Sequence, residues 1–137
     1  MEPRLAAPFE WRVRVYYEDT DLGGVVYYAN YLKYLERARS EWLRHLGVSQ
    51  SALLADAGLL FAITAVNIRY LKPARFEDTL VVSVVLERMR RASMNFSQSI
   101  RRNAADGELL ATAEVSAACL RAQDMRPAPL PPHLFQE

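Results

Sequence analysis

Three carboxylates, Glu18, Asp19 and Asp21, sit in one short stretch closed by Gly23 and Gly24, the only place where this chain lodges acids in a glycine-rich loop. In such a loop a carboxylate can take a proton from water or attack an electrophile itself. Histidine is scarce: His45 falls at the end of a helical stretch and His133 in a proline-rich tail. Neither is near the loop in sequence, so a Ser-His-Asp or Cys-His arrangement is poorly supported. The plain alternative is that the acids cap turns and favour the positive end of the helix that follows. A helix N-terminus also exposes unpaired N–H groups that can hold an oxyanion, and the two glycines let a substrate approach the backbone closely. Acid, glycines and helix start together outline an acyl-transfer site.

The elements that must hold this loop are legible on either side of it. Glu10 to Tyr17 alternates Trp11, Val13 and Val15 with Arg12, Arg14 and Tyr16, the period of a half-buried strand. From about Asn30 the apolar stripe Tyr31, Tyr34, Leu35, Ala38, Trp42 and Leu46 predicts one long helix, stopped by Gly47. Ser49 caps a short second helix through Ala57. Strands follow at about Leu60 to Leu71, Thr79 to Met89, Ser93 to Arg102 and Leu109 to Arg121, with Asp106-Gly107 as a hairpin turn. On the third of these, Met94, Phe96, Gln98 and Ile100 form a face fit to pack on a helix. Pro127 to Pro132 must run extended over the surface. One strand, a long helix and a run of antiparallel strands predict an α+β domain.

The 137 residues, 51% of them hydrophobic, suit a single domain spanning 1–137 with an extended tail from about Arg126. With 17 basic and 16 acidic residues the formal charge is +1, which lacks the footprint of a nucleic-acid binder. Met1 to Pro8 has no apolar run of secretory type, and the apolar region from Leu59 to Val66 is too short for a membrane span, so a cytoplasmic protein is expected. Cys119 is the lone cysteine, in phase with Ala113, Val115 and Ala117, and reads as a buried, inert thiol; no spacing suggests a metal site.

Residues 16–44, YYEDTDLGGVVYYANYLKYLERARSEWLR, resemble the signature of the 4-hydroxybenzoyl-CoA thioesterase family, especially its Tol-Pal-associated acyl-CoA thioesterase branch. Residues 68–80, IRYLKPARFEDTL, fit the same branch. The resemblance implies a hotdog fold, an antiparallel sheet wrapped around one long central helix. It also implies a homodimer or homotetramer with active sites at the subunit interface. The implied reaction is hydrolysis of an acyl-CoA thioester to the free acid and coenzyme A, which is part of the substrate and leaves no separate cofactor.

Carried onto this chain, the resemblance makes Asp21 the catalytic carboxylate, as general base or nucleophile, and Asp19 a supporting group. It gives the Tyr28 N–H the task of polarising the thioester carbonyl, with Gly24 and Val25 beside the substrate. Tyr27, Tyr31, Phe61 and Ile63 are candidates for the acyl pocket, and each could equally be plain core. Arg90, Arg91 and Arg126, with Arg88, could hold the coenzyme A phosphates. Glu36 is left outside the site as a helix-face charge expected to pair with Arg37 or Arg39. Many members of the branch read V-Y-H where this chain reads Val26-Tyr27-Tyr28, so any role of that histidine side chain is absent here. A non-catalytic acyl-CoA-binding module and an acyl-thioester hydratase are the rival readings; the first needs no acid at position 21 and the second needs a histidine base.

Overall fold

The computed structural model describes residues 7–132 and 134–135; His133 and the Met1–Ala6 part of the N-terminal stretch lie outside them. Strand β1 (Phe9–Arg14) turns Phe9, Trp11 and Val13 inward and Glu10, Arg12 and Arg14 outward. It stops earlier than the alternation predicts. Tyr17–Asp19 coils into a single 3-10 turn because the Asp19 carboxylate accepts the Tyr16 N–H at 2.9 Å.

Helix α1 (Asn30–His45) buries the predicted stripe together with Leu43. Gly47, at φ +84°, ends it in a backbone conformation costly for other residues, and its N–H donates to Arg44 O at 3.0 Å. Helix α2 (Gln50–Ala52) is capped by Ser49, whose Oγ accepts the Ala52 N–H at 3.1 Å, and widens into a π turn over Leu53–Ala57. Among the described residues no helix is long and apolar enough to cross a membrane.

Strands β2 (Leu59–Tyr70), β3 (Thr79–Met89), β4 (Ser93–Arg102) and β5 (Leu109–Arg121) complete an antiparallel sheet of order β1-β3-β4-β5-β2. This leaves β2, with much of its length exposed, as an open edge. Alternation along β3, β4 and β5 builds one apolar face, and α1 lies on it. The small Ala111, Ala113 and Ala117 of β5 join the bulky Tyr34 and Trp42 in one core, in which Trp42 meets Phe96 edge-on at 5.3 Å. The β4–β5 connection runs through Asn103 to Gly107, as expected, with Asp106-Gly107 at its end. Its left-handed residue is Asn103, and Gly107 is required because a Cβ there would lie 1.9 Å from Arg102 O.

One polar side chain interrupts the apolar face. Gln98, 2% exposed, accepts from Arg39 Nη1 at 2.9 Å and donates to Leu35 O and Ser83 O at 3.1 and 3.3 Å. It fastens helix to sheet with a fully used amide, and truncating it strands several buried partners. Gln98→Ala should therefore lower the unfolding free energy by about 2–3 kcal/mol, read from urea unfolding.

Candidate active site

The glycine loop leaves β1 and doubles back on itself. Thr20 pairs with Val26, the Asp21 N–H donates to Val25 O at 2.9 Å, and the Gly24 N–H returns to Asp21 O at 3.0 Å. A second segment backs the loop: the Val26 N–H donates to Ala74 O at 2.8 Å, Val25 bridges Arg75, and the Phe76 N–H reaches Gly24 O at 3.4 Å. That segment is itself pinned. Tyr31, 3% exposed, uses its hydroxyl oxygen to accept the Ala74 N–H at 2.9 Å. Arg102 pairs with Asp78 and donates to Pro73 O at 2.9 Å, while Asp78 also accepts the Arg75 N–H at 2.8 Å.

The two aspartates of the motif have different settings. Asp19 takes the capping part: its carboxylate holds Tyr16, and its carbonyl accepts the Tyr27 N–H at 3.0 Å and Asn30 Nδ2 at 2.9 Å, tying the loop to the start of α1. Asp21 is exposed, and only Oδ1 is engaged, by the Gly23 N–H at 2.9 Å; Oδ2 has no partner among the described residues. Beside it opens a cleft of about 610 Å³ lined by Tyr17, Glu18, Thr20, Leu22, Gly24 and Phe76.

Tyr28 precedes the first residue of α1 by two, in agreement with a helix start at Asn30. Its N–H donates to no group among the described residues, while its carbonyl accepts from the Tyr70 hydroxyl at 3.1 Å. The rings of Tyr27 and Tyr70 stand 4.8 and 6.2 Å from that of Tyr28. A helix-mouth N–H without a partner is the kind of donor that can hold a developing oxyanion, and an exposed carboxylate with an unengaged oxygen is the kind of group that can act as a base. Deeper in, the Tyr34 hydroxyl is buried with no hydrogen-bond partner among the described residues. Burial, and then the Asp19 carboxylate, raise its pKa well above the usual 10.0, so it stays protonated.

The other predicted residues divide into three groups. Tyr31 is a core residue that positions the backing segment. Phe61 and Ile63 line a separate cavity of about 120 Å³ between α1 and β2, where Glu36, Arg39 and Ser40 join them. Glu36 does not pair with Arg37 or Arg39 as expected. It accepts the Ser40 hydroxyl at 3.0 Å and makes no ion pair among the described residues. Arg88, Arg90, Arg91 and Arg126 are exposed and also make no ion pair among the described residues, whereas Arg121 is held by Asp124. The tail binds back along β5, with Ala128 N–H to Cys119 O at 2.9 Å and Leu130 N–H to Arg91 O at 2.8 Å. This keeps Arg126 at the same end of the sheet as Arg90 and Arg91. Cys119 is fully buried and its thiol is raised by burial, as befits an inert side chain. Sequence reasoning missed Tyr17, Phe76 and Tyr70; the last two lie inside the second matching string but carry no chemistry that marks them.

A sequence model of the thioesterase-like superfamily matches residues 15–137. The acyl-CoA thioester hydrolase YbgC of Escherichia coli O6:H1 is 43% identical over 129 residues, 94% of each chain. The acyl-CoA thioesterase YbgC of Haemophilus influenzae is 41% identical over 123 residues, 90% of this chain and 88% of its own. Among solved structures, a probable thioesterase from Bartonella henselae superposes with a TM-score of 0.84 at 33% identity, covering 91% of this chain and all (100%) of that one. A 4-hydroxybenzoyl-CoA thioesterase mutant complexed with 4-hydroxybenzoyl-CoA superposes with a TM-score of 0.86 at 19% identity, covering 94% and 96%. That last likeness is one of fold, the hotdog fold expected from the sequence.

Removing the Tyr31 hydroxyl leaves the buried Ala74 N–H without its partner and loosens the segment behind the loop. Tyr31→Phe should cost about 1–3 kcal/mol in urea unfolding. Amide exchange at Ala74 and Val26 should accelerate more than exchange in β4.

Proposed function

Since the chain belongs to the thioesterase-like superfamily and is an acyl-CoA thioester hydrolase, we propose that Asp21 is the reacting carboxylate and the Tyr28 N–H the group that polarises the thioester carbonyl. The observation that carries this reading is the contrast within the motif. Asp19 and Asp21 each have one carboxylate oxygen on a backbone N–H, but Asp19 is half-buried and away from the cleft, whereas Asp21 is exposed and lines it with its other oxygen unengaged among the described residues. As general base, Asp21 takes a proton from water as the water oxygen bonds to the acyl carbon. As nucleophile, it bonds to that carbon itself, and water then hydrolyses the mixed anhydride. In both routes the carbonyl oxygen gathers negative charge against the Tyr28 N–H, the carbon–sulfur bond breaks, and coenzyme A leaves as a thiolate that takes up a proton. The tyrosine at position 28 suffices because the backbone supplies the donor.

The arginines call for a second copy of the chain. β3 has 11 residues, so at about 3.3 Å each its two ends lie about 35 Å apart. The Asp21 loop adjoins the Thr79 end and Arg90-Arg91 follow the other, which speaks against one protomer serving both thioester and phosphates. Pairing of two β2 edges in antiparallel fashion would bring the Arg90 turn of one copy beside the Tyr70 end, and hence the helix mouth, of the other. A homodimer built on β2 with shared active sites is the assembly this favours.

Asp21→Asn should lose on the order of 10²–10⁴ in kcat on acyl-CoA esters, followed by free-thiol release, with an unchanged unfolding midpoint. Turnover within a fewfold of wild type would remove Asp21 from the mechanism. Reversing charge in Arg90→Glu with Arg91→Glu should raise KM for CoA esters about 10–100-fold while kcat moves little, since those contacts bind the substrate without touching the reacting carbon.

A further inference from the structure

The tip of the β3–β4 hairpin, Arg90 to Ala92, closes through the Arg90 N–H, which donates to Ser93 O at 2.8 Å. The carbonyls of such a tip are ordinarily left to water. Here two of them are taken by chain from elsewhere. Ala92 O accepts the Cys119 N–H of β5 at 2.8 Å, and Arg91 O accepts the Leu130 N–H of the tail at 2.8 Å. The Ala128 N–H donates to Cys119 O at 2.9 Å, so one residue of β5 joins the hairpin tip on one side to the tail on the other.

The composition of the tail suits those bonds. From Pro127 to Pro132 only Ala128 and Leu130 carry a backbone N–H, and both are used in them. The prolines between and after them hold the chain extended before it docks, so little conformational freedom is lost in docking. Both ends are fastened. At the near end Asp124, paired with Arg121 at 3.0 Å, accepts the Arg126 N–H at 3.1 Å, and Arg126 O accepts the Arg121 N–H at 2.8 Å. At the far end Phe135, 7% exposed, packs on Trp42 of α1 with ring centroids 5.4 Å apart. The exposed Arg90, Arg91 and Arg126 thus project from one braced rim.

We propose that the tail is a positioning strap for the coenzyme A grip, with the Leu130 backbone N–H as the group that acts: by holding Arg91 O it fixes the arginine tip before the phosphates arrive. This rests on the arginine reading above and adds to it a residue that touches neither substrate nor reacting atoms. A tip already ordered loses less entropy on binding an anion, and that gain falls only on the part of the substrate that carries phosphate. The strap therefore governs the nucleotide half of the substrate and leaves the thioester half alone.

Leu130→Pro deletes the N–H while keeping the extended backbone that the neighbouring prolines already impose. Leu130→Ala keeps the N–H and loses the side chain, so the pair isolates the bond. Both are assayed on the ester that the wild type hydrolyses fastest in a panel of acyl-CoA thioesters, and on the pantetheine thioester of the same acid, which lacks every phosphate. Relative to Leu130→Ala, Leu130→Pro should raise KM for the CoA ester about 3–10-fold with kcat within about twofold, and leave kcat/KM for the pantetheine ester within about twofold. In an Arg90→Glu, Arg91→Glu background the same change should move KM by less than about twofold, because no grip is left to order. Equal KM in both Leu130 variants, an equal loss on both esters, or a full effect in the charge-reversed background overturns the proposal. If Leu130→Pro does not fold, Phe135→Ala, which frees the far end of the strap, is compared with the wild type on the same two esters by the same criteria. Arg90→Glu with Arg91→Glu alone tells the two readings apart. A CoA-ester KM unmoved by it strikes the arginines and the strap together, whereas a raised KM with no difference between the Leu130 variants strikes the strap alone.

Discussion

The site depends on a short backbone ladder, Gly24 to Val26 against Ala74 to Phe76. A loop that leaves one carboxylate oxygen and one helix-mouth N–H without partners among the described residues satisfies its other polar groups, because each one left open would add cost and motion. The ladder satisfies those groups from behind. Tyr31 hands the ladder to the helix, and Arg102 with Asp78 hands it to the sheet. The Asp21 carboxylate proposed to react is thus exposed on a hydrogen-bonded support, an arrangement in which position is set by the contacts behind it.

Much of this was legible in the residues. Alternation placed β3, β4 and β5 at their observed ends, since each has one buried face, and the stripe from Tyr31 to Leu46 placed α1. The motif from Tyr16 to Arg44 located the loop and the family. Less legible were features created by three-dimensional contact. Asp106-Gly107 carries a hairpin signal, but the demand on Gly107 comes from Arg102 O, a clash that local sequence does not announce. Glu36 has arginines at helical spacing on both sides but meets Ser40, while Arg39 is drawn inward by Gln98, a residue 59 positions away. Tyr31 and Phe61 both read as pocket or core, and only the packing separates them.

The two ends of the sheet carry different tasks, and the connections explain why. The end at Tyr70 and Thr79 collects the loop, the helix mouth and the backing segment, all rich in backbone hydrogen bonds. The end at Leu59 and Met89 collects exposed arginines on a turn that the tail straps in place through Leu130 and Arg91. Strapping that turn in advance lowers the entropy lost if its arginines take the coenzyme A phosphates as proposed above. An edge strand left open between these ends would ordinarily be an aggregation hazard. In the β2-built dimer proposed above, its free backbone groups would pair with a like strand.

The bulge in β2 bears on how this gene can change length. Thr64 and Ala65 together face Ser116, so the strand holds one residue more than its neighbour requires. Deleting one of those two would return the strand to simple alternation with Phe61, Ile63, Val66 and Tyr70 still inward. A codon lost anywhere else in β2 would turn one half of the strand inside out. Among natural variants, in-frame deletions within β2 should therefore survive at this point alone, and straighten the strand where they do.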